Sequence, residues 1–171
     1  MSTVGIHALA GVQTYAVERA VEMRDAVLAL LPEMDVLVMA AAVADYEPAA
    51  AATQKIKKSG GALRIDLAET PDIISEVARD RGAAPKPIVV GFAAETESLL
   101  DHARDKLSRK AMNIIVANDV TLEGSGFGSD ENKVVILTAN GQVVDLPLMP
   151  KIEVAHRIWD IVLEQSDIHE Q

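Results

Sequence analysis

Three apolar runs constrain this chain more than any other feature: VLVMAAAVA at Val36–Ala44, IVVGFA at Ile88–Ala93 and MNIIVA at Met112–Ala117. A strand with one wet face alternates polar and apolar residues. These runs do not alternate, so each reads as a strand covered on both faces, the condition of a parallel sheet between layers of helices. All three are of strand length, and none approaches the ~20 uninterrupted apolar residues that cross a bilayer.

Helical patterns separate the runs. Val17, Val21, Leu28 and Leu31 recur on one face, and Pro32 stops that helix. Thr70-Pro71-Asp72 reads as a helix start, with Thr70 as N-cap and Pro71 at the first helical position, and the helix runs to about Arg81. Thr96 is expected to cap a helix carrying Leu99, Leu100, Ala103 and Leu107. Pro150 opens a last helix with Ile152, Ala155, Ile158, Trp159 and Val162 on one side. Asp45–Gly61 reads as a surface loop, and Leu63–Leu67 alternates as a short edge strand. Lys133–Thr138 and Gln142–Leu146 flank Ala139-Asn140-Gly141, a hairpin signal. The fold class expected is α/β: a mostly parallel sheet flanked by helices, with a β-hairpin at one edge. A length of 171 residues fits one domain, expected over residues 1–165, followed by a polar tail at 166–171.

Composition removes several functions. There is no cysteine, hence no disulfide, thiolate metal site or cysteine nucleophile, and the usage fits a reducing cytoplasm. Met1–Gly11 shows no targeting pattern. Asp and Glu outnumber Lys and Arg by 26 to 16, and aromatics are 3 %, so neither a phosphate-binding basic face nor a stacking platform for nucleic acid is expected. His7, His102, His156 and His169 have no metal-ligand spacing. No G-x-G-x-x-G follows a strand, and there is no Walker motif or G-x-S-x-G elbow.

If the strands are parallel, their carboxyl ends converge on one edge, where α/β sheets bind ligands. Those ends are Ala44-Asp45-Tyr46, Gly91–Thr96 and Ala117-Asn118-Asp119. The pattern serves ordinary turns and caps equally well. Lys55, Lys57 and Lys58, followed by Ser59-Gly60-Gly61, form a Gly-hinged basic loop that can fold over an anion; by composition alone a solvated loop is the plainer reading. Lys106 and Lys110 share a helix face, which complementarity to the helix dipole explains without a ligand. The helix start at Pro71–Ile74 offers free backbone N–H groups to a phosphate, base or sugar.

Taken in order, AAAVADYEP at Ala40–Pro48, KIKK at Lys55–Lys58, TPDII at Thr70–Ile74, VGFAAET at Val90–Thr96, the Lys106/Lys110 helix, ANDV at Ala117–Val120 and GFGSDENKV at Gly126–Val134 closely resemble the phosphopantothenate–cysteine ligase family. The match runs from about Gly11 to Val162. In bacteria this ligase is usually the C-terminal half of a bifunctional coenzyme A biosynthesis protein. The resemblance implies a Rossmann-like CTP-binding domain and a homodimer in the cytoplasm. It implies ligation of 4′-phosphopantothenate with cysteine through an acyl-cytidylate, with CTP as co-substrate and Mg2+ on the triphosphate. By position it implies nucleotide contacts from Met39, Ala40 and Ala41, from Pro71, Asp72, Ile73 and Ile74, and from Phe92, Lys106 and Lys110. It gives Asp45 to the nucleotide and metal region and Lys55 to the triphosphate and its developing charge.

The family's opening strand with a Gly-Gly-Thr turn, its Asp-Pro-Val-Arg stretch and its Asn before Ser-Ser-Gly do not occur here, so the chain reads as lacking the first βαβ region. The alternative expectation is therefore a catalytically incomplete nucleotide-binding or dimerisation module of the same family. On pattern alone, a generic Rossmann-like domain for another anionic ligand also fits.

Overall fold

The computed structural model describes residues 10–50, 54–57, 60–95, 99–119 and 128–167. In chain order the elements are α1 (Ala20–Leu30), β1 (Val36–Met39), β2 (Tyr46–Pro48), β3 (Leu67–Glu69), α2 (Ile73–Arg81), β4 (Ile88–Glu95), α3 (Leu99–Arg109), β5 (Ile114–Asp119), β6 (Glu131–Asn132), β7 (Val134–Thr138), β8 (Val143–Asp145), β9 (Met149–Pro150) and α4 (Lys151–Asp167). The chain divides into two compact units: residues up to Ala29 with Ala41–Asp72, and Leu30–Ala40 with Ile73 onwards.

The second unit is built on a five-stranded sheet in the order β1-β4-β5-β7-β8. The three apolar runs supply its parallel part, with Val36 opposite Ile88 and Val90 opposite Ile114. The expected hairpin follows as β7 and β8, both added antiparallel, and Gly141 takes a φ of 94° in its turn. Strand alternation sends Ile88, Val90, Ile114, Val116, Val134 and Ile136 to one face, where Val154, Ile158, Ile161 and Val162 of α4 cover them. Val89, Ile115 and Leu137 are buried on the other face, the side of α2 and α3. Each such side chain contributes about 1.5–3 kcal/mol when fully buried.

Gly91 sits in the middle of β4, and a Cβ there would collide with the Met112 sulfur and lie 3.5 Å from Ile74 Cδ1. Glycine leaves room here for the Met112 side chain and the tip of Ile74 against the strand.

The helix ends follow from local chemistry. Gly82, at φ 58°, closes α2 by donating its N–H to the Ala78 carbonyl at 3.1 Å. At the end of α3, Ala111 holds the left-handed position usually given to glycine, at φ 46°. Two bonds of a Schellman motif form there: Met112 N–H to Leu107 O and Ala111 N–H to Ser108 O, both 3.1 Å. Met112 and Leu107, the apolar pair of that motif, are both buried.

In the first unit, β2 and β3 form an antiparallel ribbon with Tyr46 opposite Glu69 and Pro48 opposite Leu67. No residue of α1 is buried. Its start is held by Glu22, whose carboxylate accepts the Glu18 N–H at 2.8 Å and the Arg19 N–H at 3.2 Å. This is one half of a capping box, and those backbone bonds, Glu18 first, hold the Glu22 carboxyl below its ordinary pKa. Arg19 in turn meets Glu47 of the ribbon at 2.6 Å.

Four boundaries differ from the sequence expectation. The run Val36–Ala44 is a strand only to Met39, because its partner ladder stops at the Met39–Gly91 pair. The loop expected over Asp45–Gly61 contains β2, and the edge strand expected at Leu63–Leu67 forms at Leu67–Glu69, where β2 offers a partner. The second helix begins at Ile73, so Thr70 does not cap it. Thr70 extends the ribbon instead, giving its N–H to Asp45 O at 2.9 Å and its hydroxyl to Ala44 O at 2.5 Å. The β6–β9 pair has no counterpart in the sequence pattern. Thr96, Lys58, Ser59, Val120 and the Gly-rich stretch 121–127 lie outside the described residues.

Candidate functional site

In the first unit, Asp45 stands at the open base of the β2–β3 ribbon, exposed, with its carbonyl fixed by Thr70. The connection 49–66 leaves the ribbon at its other end, after Pro48 and before Leu67, and Lys55 lies on it. Lys55 is exposed and has no carboxylate partner among the described residues, so its charge is available to an anion. Pro71 and Asp72 follow Thr70 directly and lead into α2; Asp72, of a residue type that favours N-caps, immediately precedes the helix.

In the second unit, β1, β4 and β5 run parallel and end on one edge at Met39, Glu95 and Asp119. Met39 is buried beside Gly91, whereas Ala40 and, beyond it, Ala41 are exposed and outside the ladder. Ile73 and Ile74 open α2; Ile73 is buried, and Ile74 reaches the Gly91 face of the sheet. The helix they begin carries Arg79 and Arg81 in its last turn, so its charge runs with the dipole. Phe92 is half-buried against the α4-side core, hence on the face opposite Ile74. Lys106 is half-buried in the last turn of α3, and Lys110 follows it with its N–H on the Lys106 carbonyl at 3.1 Å. Since α3 returns from the end of β4 to the beginning of β5, both lysines lie toward the amino ends of the parallel strands. Met39, Ala40, Ile73 and Ile74 share the carboxyl edge; the lysine pair is not gathered there.

Two polar residues that hold this framework carry no motif in the sequence. Asn113, part of an apolar run, accepts the Val89 N–H at 2.9 Å and an Arg81 Nη1–H at 2.5 Å on its side-chain oxygen. Its own backbone bonds Val89 O at 3.0 Å and the Ala139 N–H at 2.8 Å. Arg81 also reaches the carbonyls of Pro87 at 3.0 Å and Ala111 at 2.7 Å. A lone Asn inside an apolar run is the available signal, since such a residue survives burial only when bonded.

Among the described residues, no group of three or more His, Cys, Asp or Glu could hold a metal ion. No helix among the described residues is long and apolar enough to cross a membrane.

The family described as the DNA/pantothenate metabolism flavoprotein C-terminal domain matches residues 1–165. The chain belongs to this family. It is 40 % identical over 142 residues to the coenzyme A biosynthesis bifunctional protein CoaBC of Bacillus subtilis, covering 83 % of this chain and 34 % of that protein. It is 41 % identical over 169 residues to the CoaBC protein of Mycobacterium bovis, covering 94 % of this chain and 40 % of that one. The chain thus spans little more than a third of the relatives it matches. The solved C-terminal domain of a coenzyme A biosynthesis bifunctional protein CoaBC superposes with a TM-score of 0.75 at 30 % identity, over 98 % of this chain and 71 % of that one. A Cab2 mutant solved in complex with phosphopantothenate-cysteine shares the fold, with a TM-score of 0.64 at 16 % identity over 89 % of this chain and 53 % of that one.

Proposed function

We propose that this chain carries phosphopantothenate–cysteine ligase chemistry of coenzyme A biosynthesis. The observation that carries the reading is the 40 % identity to the Bacillus CoaBC protein over 83 % of the chain. In the proposed reaction a carboxylate oxygen of 4′-phosphopantothenate attacks the α-phosphorus of CTP and pyrophosphate leaves. The cysteine amine then attacks the acyl carbon, CMP leaves, and the amine gives up one proton.

The residues suit that chemistry in kind. Lys55, exposed and unpaired among the described residues, would stabilise charge developing on the triphosphate. The approach to α2 at Pro71–Ile74 would offer backbone N–H groups and the positive end of the helix. Met39, Ala40 and Ala41 would border the nucleotide; Phe92, on the other face of the sheet, and Lys106 and Lys110, toward the amino ends of the strands, are given to it by the family resemblance alone. Asp45 would hold Mg2+, whose chemistry is to neutralise the phosphates. A cytoplasmic homodimer is part of the same reading. It is supported by the apolar side chains that the first unit leaves exposed: Tyr46, Ile56, Leu63, Ile65 and Leu67.

The test is pyrophosphate release from CTP in the presence of 4′-phosphopantothenate and cysteine, alongside calorimetric titration with CTP and Mg2+. Turnover that disappears in Lys55→Ala supports the ligase. No heat with CTP sinks it. Binding without pyrophosphate release supports the second reading, a nucleotide-binding module without turnover.

A further inference from the structure

A groove of about 540 Å3 opens between α3 and the β7–β8 hairpin. It lies at the amino ends of β4 and β5, away from the carboxyl edge where Met39 and Ala40 stand. Its volume is in the range of small-molecule pockets, about 300–1,000 Å3. The chain has a net charge of −10, yet the charged residues lining this groove are Arg81 and Arg104 and none is acidic.

Arg81 has no carboxylate partner among the described residues, and Arg104 has a loose ion pair. Arg81 directs its bonds to the neutral oxygens of Pro87, Asn113 and Ala111, and its Nε–H is buried without a partner. Burial lowers its pKa from the ordinary value, the mark of a cation short of counter-charge. Arg104 has only Asp101, at 3.7 Å, beyond hydrogen-bond length, and its side chain is 57 % exposed. Of the acids near the hairpin, Asp145 in β8 lies 4.0 Å from Lys133, and Glu164 is engaged by Gln142 at 3.4 Å. Leu107, Leu137 and Val143 make part of the groove apolar, and Ser108 adds a hydroxyl.

We propose that this groove binds a small organic oxyanion, a carboxylate or phosphate monoester on a short aliphatic body. Arg104 provides the fork-shaped donor, Arg81 the second positive charge, and the leucines the contact for the aliphatic part. None of the residues lining the groove is among those assigned to CTP, although Lys106 and Lys110 stand beside them on and just after α3. The test uses anions other than a nucleotide and reads binding rather than turnover, so the two readings fail independently.

The test is an NMR titration of the full chain with butyl phosphate and with hexanoate, using inorganic phosphate and hexanol as controls. The expected result is saturable shifts of the Arg81 and Arg104 Nε–H signals and the Ser108 and Gln142 amides. At least one organic anion should bind about tenfold or more tightly than inorganic phosphate, hexanol should leave the arginine signals in place, and the tighter anion identifies the head group. Arg104→Gln, at an exposed position, should fold normally and weaken binding about tenfold, the worth of a lost charge-assisted bond. Absence of saturable shifts with both organic anions, or equal affinity in Arg104→Gln, would overturn the proposal.

Discussion

Replacing Gly91 by alanine adds one methyl to β4, and the structure fixes where it goes. The new carbon overlaps the Met112 sulfur and comes within 3.4 Å of Met112 Cε and 3.5 Å of Ile74 Cδ1. Met112 is 3 % exposed, so the thioether has no solvent to swing into. Overpacking of this kind costs about 1–3 kcal/mol. Alanine recovers about 0.5–1 kcal/mol, because glycine in a strand loses more conformational freedom on folding. The expected net loss is about 1–2 kcal/mol, or about 3–6 °C in Tm for a chain of this size. Met112→Ala alone should cost about 2–5 kcal/mol through the cavity it leaves. In that background the Gly91→Ala methyl enters the cavity, and its effect should change sign to a gain of about 0.5–1 kcal/mol. Urea unfolding of the wild type, both single variants and the double variant gives the coupling directly. A coupling of about 2 kcal/mol is expected, whereas additivity within about 0.5 kcal/mol would refute the contact as the reason for a glycine at this position.

Ala111→Gly should stabilise the chain by about 0.5–1 kcal/mol in urea unfolding, because glycine takes the left-handed conformation at the end of α3 without the Cβ penalty. Asn113→Ala should destabilise by about 1–3 kcal/mol, since it strips the acceptor from the Val89 N–H and one from Arg81; a loss below about 0.5 kcal/mol would show those bonds to be dispensable. Glu22, with its folded pKa lowered, stabilises the start of α1 fully above the ordinary carboxylate pKa and loses this as pH falls through the lowered value. Amide exchange at Glu18 and Arg19, corrected for intrinsic rates, should therefore accelerate at acid pH, and Glu22→Gln should remove most of that dependence. For the proposed dimer, light scattering should report twice the chain mass, and charging the exposed apolar positions of the first unit with Ile65→Lys and Leu67→Lys together should return it to a monomer.

The layered α/β plan was legible because burial on both faces leaves a plain mark on composition: Ile88–Val90 and Ile114–Val116 carry no polar residue at all. Boundaries set by partners were not. Ala40–Ala44 is as apolar as Val36–Met39, but only the latter finds a neighbour in β4. Thr70 has the residue type of an N-cap, yet a tertiary partner at Ala44–Asp45 claims its hydrogen bonds. Of the residues named for the site, Met39, Ile73 and Ile74 fall at the carboxyl edge of the parallel strands, and the face that Phe92 takes could not be read in advance, because facing depends on register. Arg81 and Asn113 escape notice in the sequence because one passes for a dipole-complementing helix end and the other for a strand residue; their bonds reach across 32 positions in sequence.

Asn113 is shared by a strand on each side and by the end of α2. A residue so placed ties the opening of one element to the opening of the rest. Breaking the Ala139–Asn113 bond at the hairpin disturbs the residue that also holds Val89 and Arg81, and releasing Arg81 frees the Ala111 carbonyl at the end of α3. The amino edge of the sheet should therefore open as a single cooperative unit. In native-state hydrogen exchange, the amides of Val89, Asn113 and Ala139 should share one opening free energy and one denaturant slope, although they lie in β4, just before β5 and just after β7.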